Sequence, residues 1–87
     1  MTTEEKEELF GLILIELEKA EKKHPEFCLH DDLGLSLLTE EFLELARAVN
    51  DMEEFDRVIE EAAHVAVVAM RMIHHMDKIR KKFANEH

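Results

Sequence analysis

Only three residues in this chain readily interrupt a helix, namely Gly11, Pro25 and Gly34, and the rest is rich in Glu, Leu, Ala and Met. Such residues lose little side-chain freedom in a helix, so an all-α chain is predicted. At 87 residues it is expected to be a single domain. A domain this small buries a modest share of its surface, and self-association is a common way to enlarge its core. Its 46% apolar content separates it from disordered sequences.

The punctuation divides the chain into three helices, a small bundle. Thr2 and Glu5 have the spacing of a capping box, opening a helix over about 3–23. Leu9, Ile13, Leu17 and Ala20 form its inner stripe. Phe10, Leu12 and Leu14 widen the apolar surface, which predicts contact with more than one neighbour. Pro25 disfavours helix at His24, and residues 24–30 read as a loop with apolar anchors. Asp31 or Asp32 is placed to cap a second helix over about 33–49. Leu35, Leu38, Phe42, Leu45 and Val49 make its expected core stripe. Asn50 suits a helix end, and Asp51 with Glu54 reads as a second capping pair for a helix over about 52–83. In that helix Phe55, Ile59, Ala62, Ala66, Ala69, Ile73 and Met76 form the main expected core stripe. Between Ala62 and Met70 the one polar residue is His64. A helix so apolar all round must be covered on nearly every side, so a dimer or tetramer is expected.

The formal charge of −10 is uneven: residues 1–61 hold 19 acids against six bases, and residues 62–87 hold two acids against five bases. An acidic body argues against nucleic-acid binding, which needs positive potential over an extended surface. The short cluster Lys78, Arg80, Lys81, Lys82 reads as favourable charge at a helix C-terminus. The lone Cys28 cannot form an intramolecular disulfide and fits a reducing compartment. The acidic first residues do not resemble a signal peptide. The longest apolar runs fall far short of a membrane span. A cytoplasmic protein without membrane contact is expected.

Two acidic clusters flank the turn near Met52: Glu40, Glu41 and Glu44 before it, Glu60, Glu61 and His64 after it. In an antiparallel hairpin, equal offsets from the turn mean equal heights, because each residue adds about 1.5 Å of rise. Glu41 and Glu44 then come level with His64 and Glu61. Residues three apart share a helix face, so three carboxylates and an imidazole converge. Ionised carboxylates held together repel, and a divalent cation removes that conflict. Solvated surface acids are the alternative for these glutamates, and a hydrogen bond from His64 to Glu60 or Glu41 is the alternative for the imidazole.

The segment Glu40-Glu41-Phe42-Leu43-Glu44-Leu45-Ala46-Arg47-Ala48-Val49-Asn50 resembles the first motif of the MazG-like all-α nucleotide pyrophosphohydrolases, and Glu60-Glu61-Ala62-Ala63-His64-Val65-Ala66-Val67-Val68-Ala69-Met70-Arg71 resembles the second. That family pairs an E-x-x-E helix with an E-x-x-D helix, and 16 residues separate Glu44 from Glu61 here. The resemblance covers roughly residues 35–75. It implies a helical bundle that holds Mg²⁺, or Mn²⁺, through Glu41, Glu44 and Glu61. It also implies hydrolysis of a nucleoside triphosphate to monophosphate and pyrophosphate. The departure is His64, which stands where the family has aspartate. Imidazole is a poor ligand for Mg²⁺ and a better one for Mn²⁺, Zn²⁺, Fe²⁺ or Ni²⁺. His64 is therefore either a fourth ligand to a changed metal or the mark of weakened catalysis.

Two other readings use the same residues. A relative without catalysis would serve as an oligomeric interaction or regulatory module. Glu61-x-x-His64 also has the E-x-x-H form of di-metal carboxylate bundles. Arg71 lies on the His64 stripe, where it would reach a phosphate bound by the acids or pair with a glutamate. Arg47, one turn past Glu44, has the same two choices.

Overall fold

A computed structural model describes residues 1–26 and 33–86 of the chain. It contains three helices: α1 (Thr3–Lys23), α2 (Leu33–Asn50) and α3 (Phe55–Glu86), with no strand among the described residues. The expected caps Asp31 and Asp32 lie outside the described residues, as do Phe27, Cys28 and Leu29.

The capping box at the start of α1 is formed in both directions. The Thr2 hydroxyl accepts from the Glu5 backbone N–H at 3.1 Å, and the Glu5 carboxylate accepts from the Thr2 N–H at 2.7 Å. The Thr2 backbone N–H, with the Thr2 hydroxyl adding to it, holds the Glu5 carboxyl below the usual range. The helix stops at Lys23, two residues before Pro25, where the proline ring disfavours further helix.

The turn between α2 and α3 corrects one expectation. The third helix does not begin at Met52. Met52 instead adopts φ of +53°, the left-handed region, directly after α2. The N–H of Glu53 reaches the carbonyl of Ala48 at 3.0 Å, and that of Met52 reaches Val49 at 3.2 Å. This pair of bonds satisfies the last carbonyls of α2 in a Schellman arrangement, with Met52 where glycine is usual. Glu54 rather than Asp51 sits at the entrance of α3, its carbonyl accepting from Arg57 and Val58.

Among the described residues, α1 and α2 each pack against α3 and not against each other. Within the described residues α1 thus meets one neighbour, α3, where more than one is expected. Only Ile13, Glu16, Leu17 and Ala20 of α1 are part-covered, all on one stripe. The result is a flat arrangement of 50 × 33 × 23 Å with a radius of gyration of 15.1 Å. No described helix is long and apolar enough to cross a membrane.

Among the described residues the buried apolar ones are Ala48, Ala63, Val67 and Val68. None belongs to the stripes expected to form the core. Phe55 is 88% exposed and Ile73 69%, with Ile59 and Met76 also open. Leu35, Phe42 and Val49 of α2 are exposed as well. The periodicity of these stripes is real, but the three helices of one chain cover them only in part, at Leu38, Leu45, Ala66 and Ala69. At the far end of α3, Arg80 and Lys81 pair with Asp77, whose carboxyl is held below its usual range by those two cations.

Candidate metal centre

The α2–α3 hairpin brings residues at equal offsets from its turn into register. Glu41, Glu61 and His64 each offer a ligand atom, and these atoms lie within 4.8 Å of one another. Glu44 is outside that three-residue group. Its charge is still close enough to act on Glu41, one turn along α2.

Glu61 is the most deeply placed of the three, 1% exposed. One of its oxygens, Oε1, forms an ion pair with the Arg57 guanidinium at 2.7 Å, one turn back along α3. The other, Oε2, is buried without a hydrogen-bond partner among the described residues, and so is Oε2 of Glu41. Both of these oxygens lie 3.8 Å from Nδ1 of His64. That is beyond hydrogen-bond length. A buried carboxylate oxygen left in this state costs more than a paired one.

The other ring nitrogen is engaged. Nε2 of His64 lies 3.2 Å from Oε2 of Glu16, a residue of α1. Its distance to Glu60 is longer, at 3.9 Å. A ring that donates its Nε2 proton to Glu16 leaves a lone pair on Nδ1, aimed at two carboxylate oxygens. Three electron-rich atoms then face one another around a common point. Either a second proton on the ring or a cation between them relieves the repulsion.

Charge follows the same pattern. Burial pushes the Glu41 carboxyl up, and the negative charges of Glu44, Glu61 and Glu40 push it further, against the opposing effect of His64. Burial also pushes Glu16 up, but hydrogen bonds and charge from Lys19 and His64 outweigh it and hold that carboxyl low. Lys19 Nζ sits 3.2 Å from Glu16 Oε1. Glu16 thus stays anionic and braces the imidazole, while at Glu41 burial and the neighbouring carboxylates outweigh His64.

Beside the three residues is a groove of about 310 Å³ walled by all three helices. Glu41, Glu60 and His64 stand on one side, with Lys19, Lys23 and Arg71 among its other lining residues. Arg71 donates to the His24 carbonyl at 2.6 Å, tying α3 to the end of α1. It also lines a second groove of about 660 Å³ with His74, His75 and Lys78.

Sequence reasoning brought together Glu41, Glu61 and His64 but omitted Glu16 and Arg57. Glu16 had a signal: it falls three residues after Ile13 and four before Ala20, so it shares the inner stripe of α1. Arg57 lies four before Glu61, where an ion pair along a helix is expected. No family model, curated protein or solved structure matches the chain.

Proposed function

We propose that this chain binds a divalent cation through Glu41, Glu61 and His64 and uses it to hydrolyse a nucleoside triphosphate to monophosphate and pyrophosphate. The observation that carries the reading is the pair of buried, unpartnered oxygens of Glu41 and Glu61, both turned toward the same imidazole nitrogen. The donor set fits a divalent cation: two carboxylates supply negative charge, and the imidazole supplies a nitrogen held by Glu16. Mn²⁺ suits that mixed set better than Mg²⁺, which prefers oxygen alone. When bound, such an ion neutralises phosphate oxygens and lowers the pKa of a coordinated water.

The chain's own residues supply the rest. Glu44, outside the three-residue group but beside Glu41, orients a water and takes its proton. Arg71, Lys19 and Lys23 present positive charge to the phosphates from the groove walls. The E-x-x-E and E-x-x-H segments, in their order and spacing, support the pyrophosphohydrolase chemistry within this broader metal reading. A chain that has lost catalysis and serves as an interaction module is the competing reading.

A turnover assay over NTPs and dNTPs with Mg²⁺ and Mn²⁺ tests the proposal. Pyrophosphate release is expected, faster with Mn²⁺. Replacing His64 with Asp supplies an oxygen ligand and a further charge, so it should raise Mg²⁺ affinity and Mg²⁺-dependent hydrolysis. If His64→Asp merely destabilises the fold and added Mg²⁺ does not rescue it, the metal reading fails. If the metal binds but no nucleotide turns over, the catalytic half fails alone.

A further inference from the structure

We infer that the bare face of the α2–α3 hairpin is the docking surface for a second copy of this chain, the two hairpins closing into a four-helix core with α1 on the outside. The outer stripe of α3 alternates steps of four and three, from Phe55 through Ile59, Ala62, Ala66 and Ala69 to Ile73 and Met76, and it is exposed except at the half-buried Ala66 and Ala69. Steps of that kind mark a seam that packs along another helix. No charged residue falls on it over that stretch. Exposed Leu35, Phe42 and Val49 repeat every seven residues on α2.

The two stripes share one side of the hairpin. On α3, helical projection puts the seam opposite His64, Val67 and Arg71, which line the groove under α1. On α2, it puts Phe42 and its repeats on the flank away from the inward-facing Leu37, another residue of that groove. The face is therefore continuous across both helices, and α1 is on the reverse side. Alanines at 62, 66 and 69 lie at the middle of the seam, where small side chains let helix axes approach closely.

The area decides what covers this face. The chain exposes 7234 Å², whereas a compact monomer of its mass exposes about 5,300 Å². The excess, about 1,900 Å² per chain, matches a permanent homodimer interface, for which the two partners together bury about 2,000–5,000 Å². The radius of gyration of 15.1 Å likewise exceeds the roughly 12 Å of a compact chain of this length. A two-fold pairing of the same face closes on itself, so that face cannot propagate into an open array. It also converts the exposed stripes into the core that their periodicity specifies.

Sedimentation equilibrium on the full chain and three variants tests the assignment. The wild type is expected to be a dimer at micromolar concentration. Ile73→Glu puts two charges into the closed face and should give monomer or unfolded chain. Ile73→Ala keeps the face apolar, so it should fold while raising the dimer dissociation constant at least about tenfold. Phe10→Glu, on exposed α1, should leave the dimer intact. A folded wild-type monomer overturns the inference. So does a dimer that tolerates both changes at Ile73, or one that Phe10→Glu dissociates.

Discussion

Glu41 is the residue whose environment is least resolved by the protein alone. Its carboxyl is raised by burial and by the charges of Glu44, Glu61 and Glu40, so the folded chain holds that proton to higher pH than the unfolded chain does. The associated stability is fully present below the ordinary glutamate value and is lost as pH rises through the raised folded value. At neutral pH without a cation, Glu41 therefore opposes folding. Glu41→Gln should stabilise the metal-free protein at pH 7 by an amount of order 1 kcal/mol and remove the loss of stability that accompanies ionisation of this raised carboxyl. The same change removes a ligand, so it should abolish any rise in melting temperature on adding Mn²⁺. Thermal unfolding with and without Mn²⁺ checks both signs. A variant that gains nothing at pH 7 and still responds to Mn²⁺ would place the cation elsewhere.

At the scale of elements, the turn after α2 carries a residue poorly suited to it. Met52 has φ of +53° and is 90% exposed, so its side chain gains little from packing while its backbone carries left-handed strain. Met52→Gly should stabilise the fold by about 0.5–1 kcal/mol, read as a higher denaturation midpoint at an unchanged slope. This turn also shows what was legible in the sequence and what was not. Helix boundaries were legible where a residue type forces them, at Thr2 with Glu5 and at Pro25. The α3 start was misplaced because Asp51 and Glu54 have capping spacing, yet the Schellman bonds of Glu53 and Met52 claim the backbone there. Rise per residue sufficed to set Glu41 level with His64. It did not reveal Glu16, because a contact between helices far apart in the chain depends on how α1 docks. The stripes at Phe42 and Ile73 were legible as apolar periodicity, but periodicity does not say whether the covering surface belongs to the same chain.

For the whole molecule, dimerisation ties stability to concentration. If folding buries the hairpin face against a second copy, unfolding releases two chains and mass action applies. The melting temperature should then rise by about 3–5 °C for each tenfold increase in protein concentration. Scanning calorimetry across a hundredfold range checks this, and a midpoint independent of concentration would contradict an obligate dimer. The same pairing bears on the di-metal alternative. A site shared across a two-fold axis would need His64 at that axis, whereas the apolar seam faces the opposite way from it.

Because, among the described residues, α1 and α2 each rest on α3 and not on one another, the chain is built like two leaves on one spine. Such leaves open separately. The thinly covered α1 should exchange its amide hydrogens by a local opening that leaves the hairpin protected. Each opening withdraws Glu16 from the imidazole, and Arg71 loses the His24 carbonyl. An ion seated between Glu41, Glu61 and His64 would slow that opening, so protection along α1 becomes a remote gauge of whether the centre is filled.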